Sequence, residues 1–345
     1  MFDTQPLALD PHKSMNLKYK RLKFAEVPEL LSSLDAFNYA KCSGQRRPDL
    51  ERIILTDPSD PYFAVDYARD VIKGRWIKAE PVIAQDQAAA YQYGLTVLQG
   101  KRNKVIERSI CTNPKLAYKY AYNVIGGRFQ MAEAYIIKDP IYAAYYASDV
   151  LKWRWPEAED TIAKDAHAAF LYTANVVKCR WKKGEKSILH NLETALSYAK
   201  DVLKSKRLDV LEEVMATNSG YAYRYAVHVL HGRFEAGERT IAQCPHTALD
   251  YAKNVIKGRW IKGETAIATD RVYALEYTSH IKQRFIKAEK LLSKDPLDVH
   301  AYNQLLASLE EAAKKASLRA PYIPSERTSR ATPPQRKSGP PRRSI

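Results

Sequence analysis

The chain has 345 residues, with 55 Lys and Arg against 39 Asp and Glu, a formal charge of +16. It has no long uninterrupted apolar run of the kind a membrane-spanning helix needs, which excludes such a span. Four scattered cysteines without a C-x-x-C pair, and no secretory leader, point to a reducing compartment and away from a zinc ribbon.

Residues 1–22 carry Pro6, Pro11 and a basic stretch around Lys18–Arg21 with little periodicity, and read as an irregular arm. Residues 23–56 read as an N-terminal capping repeat. An apolar pattern from Phe24 to Leu34, broken by Pro28, precedes a weak copy of the motif at Ala36, Tyr39 and Ala40.

Residues 57–316 repeat. Nine of the 23 tyrosines, Tyr67, Tyr93, Tyr120, Tyr146, Tyr172, Tyr198, Tyr225, Tyr251 and Tyr277, are 26 or 27 residues apart. An arginine keeps step with them, from Arg75, Arg102 and Arg128 through to Arg284, and a glutamate follows each arginine by five residues, from Glu80 to Glu289. The approximate consensus is A-x-x-Y-A-x-x-V-I-x-G-R-W-x-x-A-E-x-x-I-A-x-D, and a last half-copy holds Tyr302, Leu305 and Leu306.

Each copy reads as two short helices. Ala64, Tyr67, Ala68, Val71 and Ile72 form a helical stripe at i, i+3, i+4, i+7 and i+8. Asp86, Asn113, Asp139, Asp165, Asn218, Asp270 and Asp295 are placed to cap such helices, and Pro140 and Pro296 suit the first helical position. Gly74, Gly127, Gly232 and Gly258 are expected to end them in left-handed geometry. The second helix runs from the aromatic residue to the I-A pair, with Trp76, Ala79, Glu80 and Ile83 on one face. Helices this short need neighbours to bury their faces. The expected fold is therefore all-α: an α-solenoid of about ten two-helix repeats. Leu305 to Ala316 reads as a charged closing helix. Residues 317–345 read as a disordered tail, since residues 318–345 carry seven basic residues, one acid and six prolines.

Two ladders admit a functional and a structural reading. The arginines match the regular charge of a phosphate backbone, but their phase with Glu and Tyr suits pairing within or between repeats. The series Trp76, Phe129, Trp155, Trp181, Phe234, Trp260 and Phe285 suits base stacking or, more simply, plugging the groove between hairpins. It fails at Asn103 and Leu208, where softer packing, a kink or a binding spot is expected.

A third ladder sits just before the glycine position and reads Lys73, Gln99, Gly126, Lys152, Lys178, Lys204, His231, Lys257 and Lys282. A cation near a helix C-terminus is favoured by the dipole, yet this row also forms a positive edge without evident acids. Lys182, Lys183, Lys186, Lys200, Lys206 and Arg207 thicken it. For a polyanion the candidate contacts are therefore Lys152, Lys178, Lys182, Lys183, Lys204, Lys206, Arg207, Lys257 and Lys282 on the array. On the tail they are Arg336, Lys337, Arg342 and Arg343. The eight histidines make no H-x-x-x-H or H-E-x-x-H spacing, and no phosphate-loop, nucleophile-elbow or dinucleotide motif is present, so neither a cofactor nor an enzyme is expected.

The run Tyr67-Ala68-Arg69-Asp70-Val71-Ile72-Lys73-Gly74-Arg75-Trp76 with Ala79-Glu80, recurring to Glu289, resembles arrays in uncharacterised proteins of tailed bacteriophages and some large DNA viruses. The resemblance implies a viral origin, hence the cytoplasm of an infected cell, and an α-solenoid. It implies no activity and carries over no catalytic residue. The leading expectation is a non-enzymatic scaffold that binds a protein partner, with nucleic acid on the basic tail. The alternatives are nucleic-acid binding along the array itself and a structural part of the virion.

Overall fold

The first helix of most copies begins where the sequence offers a side-chain acceptor for orphaned amides. Asp86 accepts from the Ala89 N–H, Asn113 from Leu116, Asp165 from Ala168 and Asp295 from Leu297. Asn191 does the same for Thr194 in a copy where no cap was expected. In the computed structural model, which describes residues 32–56, 60–204 and 206–319, every element is helical.

The first helix of a copy is not uniform. In the first full copy an α-helical stretch, Tyr62–Tyr67, passes directly into a π-helical turn, Ala68–Ile72. The same change recurs after Tyr93, Tyr120, Tyr172, Tyr225 and Tyr251. The Lys73 N–H then bonds to the Ala68 carbonyl five residues back, and the wider turn takes up one residue.

That residue moves the left-handed position. Lys73, Gln99, Gly126, Lys152, Lys178, Lys204, His231, Lys257 and Lys282 all have positive φ, between 48° and 66°. Gly74, Gly127, Gly232 and Gly258, expected there, do not have it. The correction has a geometric cause: the glycine N–H reaches the same carbonyl as its predecessor, as Gly74 does to Ala68 at 3.1 Å, so the chain has already reversed one residue earlier.

Several second helices are shorter than the sequence suggests, as in Lys104–Ile110 and Gln130–Ile136, whereas Lys182–His190 keeps the expected length. The copies of Trp76 and Trp155 begin instead with a tight turn, Ile77–Ala79 or Pro156–Ala158, before one α turn. The two helices of a copy pack on each other, as Ala166–Tyr172 does on Lys182–His190, and in adjacent copies first helices also meet first helices and second helices meet second. The result is two layers of helices stacked in chain order.

Tyr67 and the eight tyrosines in phase with it fill the seam between the layers, each no more than 1% exposed. Each ladder ring packs on the tyrosine of its own copy: Trp76 on Tyr67 with centroids 4.9 Å apart, Phe234 on Tyr225 at 5.0 Å. The rings are buried, which places them in the core and overturns the base-stacking alternative. Small residues (Ala64, Ala68, Ala89, Ala90) are fully buried between neighbouring helices and allow their close approach.

At the N-terminal side Ser33–Ser43 and Pro48–Thr56 form a complete helix pair; the apolar stretch before it and the arm lie outside the described residues. At the other end the last first-type helix does not stop six residues beyond its tyrosine. It continues as one helix, Pro296–Arg319, so the half-copy and the closing helix are a single element that extends past the expected start of the tail. The remaining tail residues, with Arg336, Lys337, Arg342 and Arg343, lie outside the described residues.

Candidate functional site

The residue ladders meet between copies. Arg128 donates Nε and Nη2 to the two carboxylate oxygens of Glu133, at 2.6 and 2.9 Å. Tyr146, from the next copy, donates its hydroxyl to the same carboxylate at 3.0 Å and accepts the Phe129 N–H at 2.7 Å. Arg154, Glu159, Trp155 and Tyr172 repeat the arrangement one copy later. The set closes at Arg284, Glu289, Phe285 and Tyr302. An early version, Arg46 and Glu51 with Tyr67, ties the first helix pair to the array.

Sequence spacing left open whether the glutamate pairs with its own tyrosine or a neighbour's. Where a tyrosine hydroxyl reaches a glutamate it comes from the following copy, as Tyr146 to Glu133 and Tyr198 to Glu185, whereas the Tyr146 ring packs on Trp155 of its own copy. The glutamates are the buried members; Glu80, Glu238 and Glu264 are at most 3% exposed, while their arginines remain about half exposed. Burial alone would raise the Glu80 and Glu238 carboxyls. Cation bonds outweigh it, from Arg75 in one case and from Lys262 and Arg233 in the other, and hold both below the usual range. Burial likewise pushes the Tyr172 and Tyr251 phenols up to about 12.

The two departures from the aromatic ladder alter this clamp differently. Asn103 turns its side chain to cap its own second helix, accepting from Val105 and Ile106, and its N–H bonds to Glu107 rather than to a tyrosine. The Tyr120 hydroxyl is left buried without a partner. Its ring leans into space opened by Gly94, where an added Cβ would stand 2.4 Å from Tyr120 Cε2. At Leu208 the Tyr225–Glu212 bond survives at 3.2 Å.

The expected cationic residues divide. Lys152, Lys178, Lys182, Lys204, Lys206, Lys257 and Lys282 are exposed and pair with no carboxylate among the described residues. Lys183 and Arg207 correct the expectation of an edge without acids: Lys183 meets Asp160 at 2.8 Å and Arg207 meets Glu212 at 2.6 Å. Lys178, Lys204, Lys206 and Arg207 come together around one cleft; Lys183 lines another with Lys164, Lys186 and His190. Lys152, Lys257 and Lys282 hold the left-handed position in other copies.

One surface row escaped the sequence reading. Ile77, Val105, Met131, Val210, Ile261 and Ile286 lie two or three residues after the ladder arginine of their copies and are 41% to 70% exposed. Their signal was available, since the consensus puts no apolar residue there, but the ladder aromatic beside them drew the apolar reading. No described helix is long and apolar enough to cross a membrane. The chain matches no family model, no curated protein and no solved structure.

Proposed function

We propose that this chain is a non-enzymatic repeat scaffold that holds a protein partner, with its basic tail giving sequence-independent contact to nucleic acid. The observation that carries this reading is the clamp. The ionisable groups that recur in every copy are engaged in joining copies, so the surface left for recognition is the part outside it. On that surface Ile77, Val105, Met131, Val210, Ile261 and Ile286 offer partly desolvated side chains at two adjacent positions of the repeat, which suits a protein partner. The tail's dense positive charge suits phosphate contact of the salt-sensitive kind.

The second reading places nucleic acid on the array itself, and the unpaired lysines at the left-handed positions favour it. Deletion of residues 318–345 separates the two. Under the first reading the deletion removes most nonspecific DNA binding and leaves capture of the protein partner intact. DNA affinity and salt slope that survive the deletion assign the binding surface to the array. Ile77→Ser with Ile261→Ser and Ile286→Ser tests the apolar row; partner capture that withstands it rules that row out.

A further inference from the structure

The copy containing Arg207 is built differently from its neighbours. Where Cys179 alone separates the left-handed Lys178 from Arg180, two residues separate Lys204 from Arg207. Leu208 also stands where the ladder ring would plug the seam. A cleft of about 440 Å³, with Leu208 in its lining, lies between this copy and the previous one.

The cleft is ringed by Lys178, Arg180, Lys204, Lys206 and Arg207. Two of these are neutralised: Arg180 and Arg207 each give Nε and Nη2 to Glu185 and Glu212. Lys178, Lys204 and Lys206 have no acid partner among the described residues, so three lysines without a compensating carboxylate line one concavity. Gathering like charges costs free energy unless an anion joins them, and a cleft with low-dielectric walls strengthens the attraction for one. Val202, Leu203 and Leu208 add an apolar wall. The volume falls in the range of small-ligand sites.

We propose that this cleft is a binding site for a phosphate-rich anion carrying more than one phosphoryl group, with the apolar wall receiving the group attached to it. Single phosphates would leave one or more lysines unmatched, whereas linked phosphoryl groups span Lys178 on one copy and Lys204 and Lys206 on the next. This site is separate from the apolar row and does not depend on the scaffold reading. Two sources share the chemistry: a free polyphosphate or its ester, and the phosphodiester backbone of a single strand.

The test uses the full chain, with inorganic tripolyphosphate titrated by calorimetry at low salt. The variant Lys178→Gln/Lys204→Gln/Lys206→Gln is compared with Lys152→Gln/Lys257→Gln/Lys282→Gln. Each removes three exposed positive charges and leaves the tail untouched, so the pair is matched for overall field. Circular dichroism and melting curves confirm that both variants fold. We expect saturable binding to the unaltered chain and to the second variant, weakened by about tenfold or more in the first. Equal weakening in both variants overturns the proposal in favour of a diffuse field, and so does the absence of saturable binding to the unaltered chain. A short oligothymidylate then identifies the source. If its affinity also falls selectively in the cleft variant, the natural ligand is a strand; if the two variants bind it alike while tripolyphosphate discriminates, the ligand is a free polyphosphate.

Discussion

The Tyr93 hydroxyl accepts the Trp76 N–H at 2.7 Å across a repeat boundary, seventeen residues apart in sequence. That bond and its equivalents turn a row of marginal helix pairs into a connected stack. At these junctions the buried amide of the ladder residue is satisfied by the neighbouring copy rather than by its own, so such a copy is not complete alone.

Removing one hydroxyl therefore has different effects at different tyrosines. Tyr146→Phe deprives the Phe129 N–H of its acceptor and Glu133 of a donor, and is expected to cost about 2 kcal/mol. Tyr120→Phe removes a hydroxyl that has no partner, and its cost is expected to stay within about 0.5 kcal/mol. Urea unfolding of the two variants measures the difference; equal losses contradict the clamp.

The left-handed lysines can be tested through glycine. Lys257→Gly relieves a non-glycine residue at φ 56° and is expected to raise stability by about 0.5–1 kcal/mol. Lys257→Val is expected to lower it. Gly258→Ala is expected to be close to neutral, because Gly258 has no positive φ and a Cβ there meets nothing within 4 Å. Thermal melts in which Gly258→Ala is the harmful change would restore the glycine-cap reading.

Glu238 has two cations, Arg233 and Lys262, each at 2.7 Å, whereas among the described residues Arg154 is the sole cation bonded to Glu159. Arg154→Ala is therefore expected to lower the melting temperature more than Arg233→Ala. Combining Arg233→Ala with Lys262→Ala is expected to exceed the sum of the single losses, since only the pair strands the carboxylate. A double-mutant cycle reads this coupling directly.

The pH dependence follows from which form each group favours when folded. Glu80, Glu185, Glu238 and Glu289 are held below their ordinary range, so their contribution is present above the unfolded carboxyl pKa, about 4.3, and is lost as pH falls through the folded values. The clamp tyrosines are shifted upward, so their contribution is complete below about pH 10 and is lost as pH rises through the folded values. Absorbance titration of the phenols should show an exposed class ionising first and a second class ionising together with loss of helical signal. A single smooth titration of all tyrosines would contradict the upward shift.

Much of the fold was legible because strict period is a property of packing. Tyr67 to Tyr277, the caps at Asp86 and Asn113, and the buried Trp76 ladder all follow from spacing and residue type. The partner of each glutamate did not follow, because Tyr146 lies eighteen residues after Arg128 and Tyr120 eight before it, and spacing alone admits both. The left-handed position was misplaced by one because glycine is the usual signal there, while the π turn that shifts it leaves no mark in an apolar stripe of Ala, Tyr and Val. The cationic residues were legible as a list; their division into paired ones such as Lys183 and clustered ones such as Lys204 depends on how adjacent copies meet. Asn103 and Leu208 were legible as irregularities, but only the geometry shows that one orphans a hydroxyl and the other borders a cleft.

Because carboxylates such as Glu133, Glu159 and Glu238 each bond to a tyrosine that arrives with the next copy, the stack has a direction, like beads that click together one way. Excising or duplicating one interior unit of matching length would leave every junction still made. Length is thus free to vary between descendants of such a chain without relearning how to fold. The two ends are the exceptions: Arg46 and Glu51 begin the sequence of junctions, and Tyr302 on a helix that no longer turns back brings it to a halt.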